Sequence, residues 1–155
     1  MGEDKKTFKL ISKNRQAYFL YNILETYEAG ISLLGTEVKS IRAGRVNLKD
    51  GYVFIRDSEA LLSNVHISPY KGSGSYFNHD PLRIRKLLLH KKEINKLIGK
   101  TQEKGLTLVP IKMYFKGSRI KLQIGLGKGK KLYDKRETVK RRDDQRAMSR
   151  AMKQF

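Results

Sequence analysis

His66, His79 and His90 lie far apart, no HxxH or HxxxH pair occurs, and the chain has no cysteine. That removes disulfides and thiolate zinc sites and leaves no ligand spacing for a metal centre. Asp57 and Glu59 flank a turn signal, and Asp143-Asp144 sit in a polar run. Neither pair has a histidine or a third acid where metal-assisted nuclease chemistry needs one. Gly127-Lys128-Gly129-Lys130-Lys131 looks at first like a phosphate cradle, yet it lacks the spacing and final Ser/Thr of a nucleotide-binding loop. What the chain has in excess is cationic groups: 34 Lys and Arg against 15 Asp and Glu, a formal net charge of +19. Their chemistry is phosphate neutralisation, in which each cation that meets a phosphate releases a counterion.

Such a surplus repels itself, and a polyanionic partner relieves the repulsion. Nucleic acid, an anionic membrane and an acidic protein all qualify by charge. No apolar run approaches the ~20 residues that span a bilayer. The aromatic residues, eight Tyr and six Phe, fall mostly in strand-like segments rather than along one basic helix. Met1 to Lys13 has no apolar signal-peptide core, and the lack of cysteine gives no pointer to secretion, so a cytoplasmic location is expected. Residues 125–155 carry 11 basic and 4 acidic side chains, a net of +7, against +12 for residues 1–124, so the end of the chain is about twice as densely charged.

The elements that must position these charges are read from periodicity. Met1 to Lys13 is polar and expected to fray. From Tyr18 apolar residues alternate through Ile23, a strand pattern; Ala29-Gly30 reads as a bend, after which Ile31 and Leu33 resume. Thr36 caps a short helix with Leu34, Val38 and Ile41 on one face and Gly44 as its stop. Gly51–Arg56 and Ala60–Ile67 read as a hairpin through Asp57-Ser58-Glu59. Pro69–His79, with Gly72-Ser73-Gly74-Ser75 at its middle, is a loop. Asp80-Pro81 signals a helix start, followed by Ile84, Leu87, Leu88, Lys91, Ile94 and Ile98 at helical spacing, with Gly99 as the stop and Arg83, Arg85, Lys86, Lys91, Lys92 and Lys96 on the surface.

Leu106–Phe115 and Arg119–Leu126 form the clearest hairpin, turning at Lys116-Gly117-Ser118. Ile111, Met113 and Phe115 alternate with Lys112, Tyr114 and Lys116, so one face is core and the other basic. Pro110 removes a ladder donor, which predicts an edge at that point. Beyond Leu126 core residues vanish until Met148, Ala151, Met152 and Phe155, an i, i+3, i+4, i+7 stripe. A helix of ~12–15 residues is marginal in water, so this tail is expected to be disordered free and to order on a partner. The fold class predicted is mainly β with inserted helices: an antiparallel barrel of the oligonucleotide-binding type plus a basic C-terminal tail. Residues 1–13 are the flexible start, 14–126 the body and 127–155 the tail.

Four stretches in order carry a resemblance: Tyr27-Glu28-Ala29-Gly30-Ile31; Gly35-Thr36-Glu37-Val38-Lys39-Ser40-Ile41-Arg42-Ala43-Gly44; Asp80-Pro81 with Arg85-Lys86-Leu87-Leu88-Leu89; and Gly127-Lys128-Gly129-Lys130-Lys131 with Tyr133-Asp134-Lys135-Arg136. From about Asn14 to the end the chain resembles the SmpB (SsrA-binding) family. The resemblance implies an oligonucleotide-binding-like barrel that holds the tRNA-like domain of tmRNA and brings it to stalled ribosomes for trans-translation. Small-subunit ribosomal RNA is then a second partner, and elongation factor Tu an indirect one through alanyl-tmRNA. No catalytic residue, cofactor, metal, membrane or DNA partner is implied.

Carried over by motif, the tmRNA-binding positions are Asn14, Glu28, Leu88 and Lys121, with Arg42 near the short helix added. Lys121 puts an ammonium within reach of a phosphate, or is a solvated strand lysine. Glu28 accepts a hydrogen bond from a base edge or sugar hydroxyl, or pairs with a nearby arginine. Asn14 contacts a base or serves a turn. Three adjacent leucines cannot all face a core, so Leu88 packs on a base or sugar unless it is one of the buried ones. In the tail, Lys128, Lys130, Lys131, Tyr133, Asp134, Lys135 and Arg136 match the segment the family sets in the decoding site, with Tyr133 stacking on ribosomal RNA. Met148, Arg150 and Met152 match the stretch in the empty message path, where Ala151 offers less apolar area than the bulkier aliphatic of some relatives. The rival readings are a ribosomal-protein or initiation-factor-like RNA-binding module and an RNA-modifying or RNA-cleaving enzyme.

Overall fold

The alternation at the end of the body produces two long strands that organise everything else. In the computed structural model, which describes residues 8–72 and 78–153, these are β8 (Leu106–Lys116) and β9 (Arg119–Gly129). Before them come β1 (Phe8–Lys13), α1 (Arg15–Leu20), β2 (Tyr21–Ile31), α2 (Gly35–Arg42), β3 (Val46–Asn47), β4 (Tyr52–Arg56), β5 (Glu59–Ser63), β6 (His66–Ile67), β7 (Arg85–Leu88) and α3 (Lys91–Thr101); α4 (Leu132–Lys153) follows. The main sheet is ordered β1-β8-β4-β5-β7-β2-β9, and β9 pairs back on β8, so six strands connect in a ring. Every pairing is antiparallel. The mainly β architecture with inserted helices is the one the patterning predicted.

Strand alternation sorts the side chains. Ala29, Leu87, Met113, Leu122 and Ile124 point inward and are almost fully buried, and Ile41 of α2 and Leu97 of α3 join the same core. Each fully buried Leu or Ile contributes about 1.5–3 kcal/mol relative to exposure. One edge of β8 lies along β9, while the other is shared: β4 pairs at Leu108, and β1 pairs from Lys112 to Lys116. Pro110 sits in the gap between these partners, beside a register shift, so its missing N–H interrupts no ladder. The strand as a whole is interior, and the edge that the proline predicts is confined to this gap.

Several local expectations are corrected. The strand expected from Tyr18 begins only at Tyr21, because Arg15–Leu20 coil into a turn and a half that buries Ala17. The unbroken apolar run Ala17–Tyr21 satisfies either period. Ala29-Gly30 is no bend but unbroken strand; a Cβ on Gly30 would stand 3.2 Å from the Cβ of Leu88, so the glycine makes room for that leucine. The Ala60–Ile67 strand is split at Asn64, whose φ of 61° breaks the extended run. The helix predicted from Asp80 is a turn. Asp80 does accept the N–H of Leu82 at 2.9 Å, but the chain then enters β7, with Arg85 and Leu87 inward and Lys86 and Leu88 outward. The helix starts at Lys91, where Glu93 accepts the His90 N–H at 3.1 Å, and it passes through Gly99 to Thr101.

The N-terminal stretch read as frayed contains β1, and β9 continues past Leu126 to Gly129. Gly127 marks a close approach of two strands, since a Cβ there would lie 2.8 Å from the Cβ of Tyr21. In α4 the described side chains are mostly exposed, with Met148 at 65%. The side chains of Tyr133, Asp134 and Met152, the residue Phe155 and the Ser73–Ser75 part of the predicted loop lie outside the described residues.

Candidate nucleic-acid interface

Residues directly opposite across an antiparallel pair share a face, and this rule assembles a continuous outer surface. Phe8 faces Lys116 and Leu10 faces Tyr114 across β1–β8. Lys112, Tyr114 and Lys116 face Gln123, Lys121 and Arg119 across β8–β9. Gln123 faces Glu28, and Lys121 faces Gly30, across β9–β2; Gly30 in turn faces Leu88 of β7. Five strands thus carry one face about 19 Å wide at ~4.8 Å per spacing. It is rich in lysine, with leucines near either edge.

Glu28 sits near the centre of this face. Its Oε2 accepts the hydroxyl of Tyr114 in a short hydrogen bond, and its Oε1 accepts the ammonium of Lys116 at 3.0 Å. The Tyr114 hydrogen bond holds the Glu28 carboxyl below its usual range against the opposing effect of partial burial, and Lys116 adds to the lowering. Burial, together with the same contact, pushes the Tyr114 phenol well up, so Tyr114 stays a donor. Both carboxylate oxygens are engaged, which makes Glu28 an organiser of neighbouring donors. Leu88 is 56% exposed and lies with Lys121, Ser118 and Ile31 around a shallow hollow of about 400 Å³. An apolar floor beside an ammonium suits a base or sugar with its phosphate.

Leu88 is held in place by chemistry that the sequence did not reveal. Arg85, expected on the surface, is fully buried. Its Nε donates to Glu37 at 2.5 Å, and its other nitrogens reach the carbonyls of Val65 at 2.6 Å and Pro81 at 3.2 Å. Arg83 also donates to Glu37, at 2.5 Å. Burial alone would raise the Glu37 pKa, but the hydrogen bonds from Arg83, the Leu34 N–H and Arg85 outweigh it and hold the carboxyl low. This cluster ties β7, and so Leu88, to α2. Nearby, His79 is buried between the Thr36 hydroxyl at 2.8 Å and the Ile67 carbonyl at 2.9 Å. The carbonyl can only accept, so Nε2 donates to it.

Three of the five body residues singled out from the sequence, Glu28, Leu88 and Lys121, therefore meet on one face. Asn14 does not join them. It is 4% exposed, and its amide donates to the carbonyls of Leu48 at 3.2 Å and Pro110 at 2.9 Å, closing the gap in the ladder of β8. Arg42 is exposed beside Lys9, Phe115 and Gly117, at the rim where the β8–β9 turn ends. Sequence reasoning put Lys112, Tyr114 and Lys116 on a basic face without assigning them a role; a lone tyrosine between two lysines on a polar strand face was the available signal. In the tail, Lys128, Lys131, Arg136 and Arg150 are exposed and Lys135 is half-buried, while the Lys130 N–H donates to the Leu20 carbonyl at 2.9 Å. Arg142 lies 5.9 Å from the ring centre of Phe19, laying α4 against α1. Among the described residues no group of three His, Cys, Asp or Glu side chains is placed to hold a metal, and no helix is long and apolar enough to cross a membrane.

A family model described as SmpB protein matches residues 11–154. Over 155 residues, the full length of both chains, the protein is 74% identical to the SsrA-binding protein of Gloeothece citriformis. It is 67% identical over 153 residues, 99% of each chain, to the SsrA-binding protein of Synechocystis sp.. A chain from the solved structure "tmRNA-SmpB: a journey to the center of the bacterial ribosome" superposes with a TM-score of 0.66 at 52% identity, covering 83% of this chain and 93% of that one. With the family match spanning nearly all of its length, the chain belongs to the SmpB protein family.

Proposed function

We propose that this protein binds the tRNA-like domain of tmRNA on the outer sheet face and delivers it to stalled ribosomes for trans-translation, acting in the cytoplasm and without catalysing a reaction. The observation that carries the reading is the convergence of Glu28, Leu88 and Lys121 with Tyr114 and Lys116 on one outward face of the sheet. Lysines neutralise phosphates, the leucine floor takes a base or sugar, and Glu28 fixes the donors around it. Asn14 and Arg42 serve the same recognition from the periphery, Asn14 by holding the backbone and Arg42 as a cation at the rim.

The tail meets a different RNA. Its described side chains offer exposed cations along α4, with little apolar surface to hold the helix on the body. Free in solution it frays, and it orders in the empty decoding site and message path of the small subunit, with Lys128, Lys130, Lys131, Lys135, Arg136 and Arg150 on ribosomal phosphates. Tyr133, Asp134, Met148 and Met152 belong to the same docking segment. Elongation factor Tu enters the complex through alanyl-tmRNA. Filter binding at physiological salt, with full-length tmRNA against ribosomal RNA, separates this reading from a ribosomal-protein or initiation-factor-like module. Preference for tmRNA supports it, and equal affinities overturn it.

A further inference from the structure

We infer that Phe8 of β1 is a stacking platform for an unpaired nucleobase, which extends the RNA-binding face two strands beyond Glu28, Leu88 and Lys121; the inference rests on the reading of that face as an RNA surface. Phe8 is 63% exposed, an unusual position for a phenylalanine in so charged a chain. One side of its ring lies on the ring of Tyr114, with centroids 5.2 Å apart and planes 30° from parallel. Tyr114 is itself covered, at 5% exposure. The exposed surface of the stacked pair is thus that of Phe8. Leu10 stands on the same side of the strand, 56% exposed, and continues the apolar strip.

Cations surround the strip. The Lys116 ammonium is 5.8 Å from the Phe8 ring centre, and the Lys112 ammonium is 5.6 Å from that of Tyr114. An aromatic surface bordered by ammonium groups is complementary to a base with its attached phosphates, and stacking of this kind tolerates any base. A purely apolar partner, such as a hydrophobic helix, would have to strip the hydration from those lysines without a compensating anion. The platform is also held rigid. Glu28 binds the Tyr114 hydroxyl and the Lys116 ammonium together, so the ring beneath Phe8 and one bordering cation are fixed before RNA arrives. In this arrangement Glu28 is a positioning residue.

The test uses the full-length protein. The chain contains no tryptophan, so Phe8→Trp introduces a single indole at the proposed contact. Titration with the tRNA-like domain of tmRNA, and separately with a single-stranded oligoadenylate, should quench its fluorescence in step with binding measured by filter retention. Phe8→Ala should weaken binding of the tRNA-like domain by about 5- to 100-fold, with the salt dependence of affinity unchanged because no cation is lost, and Phe8→Trp should retain wild-type affinity. A reduced salt slope in Phe8→Ala would show that the ring only positions Lys116, and would overturn the platform. So would undiminished affinity in Phe8→Ala, or bound RNA that leaves the indole emission unmoved. Quenching by oligoadenylate in a protein with no preference for tmRNA would sustain the platform while overturning the functional reading, so the two fail separately.

Discussion

Replacing Glu37 by Gln tests how the interface is held together. The Glu37 and Arg85 side chains are both fully buried, and Arg83 shares the carboxylate. The substitution keeps the shape and a hydrogen-bond acceptor but leaves a buried guanidinium without its counter-charge. Breaking one partner of such a pair costs about 3–5 kcal/mol, against a typical total stability of about 5–15 kcal/mol. The retained acceptor places the expected loss near the lower end, ~3 kcal/mol. With a urea dependence of about 2 kcal/mol per molar, the unfolding midpoint should fall by ~1.5 M. Far-UV circular dichroism in urea reads this directly. Replacing the pair together, Glu37→Leu with Arg85→Met, should recover most of the loss, because a well-packed apolar pair has no uncompensated charge. A midpoint shift below ~0.5 M in Glu37→Gln, or a double variant as unstable as the sum of its parts, would refute the reasoning.

Lys121→Ala should weaken tmRNA binding and reduce the slope of log affinity against log salt by about 0.7–0.9, the value for one phosphate, while Glu28→Arg should weaken binding by disrupting the Tyr114 and Lys116 contacts; filter binding across a salt series measures both. Acid should expose the role of Glu28 in stability. Its carboxyl is held below the ordinary range, so its contribution is fully present above the usual glutamate pKa of about 4.3 and is lost as pH falls through the lower folded value. Thermal midpoints between about pH 5 and pH 2 should accordingly fall less steeply in Glu28→Gln than in the wild type, and identical acid limbs would count against it. Truncation before Asp134 should leave tmRNA affinity intact and abolish peptide tagging in a reconstituted translation assay; tagging by the truncated protein would remove the tail's ribosomal role.

The β8–β9 hairpin was legible because a period of two with one apolar and one basic face has a single structural solution. β7 was not. Arg85-Lys86-Leu87-Leu88 follows a good capping signal at Asp80 and fits a helix by composition, and the segment is a strand through its pairing with β5 and β2 and the burial of Arg85 against Glu37, 48 residues earlier in the chain. A long-range ion pair leaves no trace in local periodicity. Crowding of three adjacent leucines predicts that one or two are exposed, and strand alternation decides that Leu88 is. Asn14 reads as a turn or base-contacting residue because its real task, bridging Leu48 and Pro110, depends on two distant carbonyls. Phe8 escaped notice because its neighbours are polar and its partner Tyr114 lies across a strand pair that the sequence does not specify.

The claim that the outer sheet face is the RNA surface is tested most directly by titrating isotopically labelled protein with the tRNA-like domain of tmRNA and following the backbone amide resonances. Shifts should concentrate at Glu28, Leu88, Lys112, Tyr114, Lys116 and Lys121, with α3 and the β4–β5 hairpin unmoved. Shifts centred on that hairpin or on α3, with the outer face silent, would contradict it.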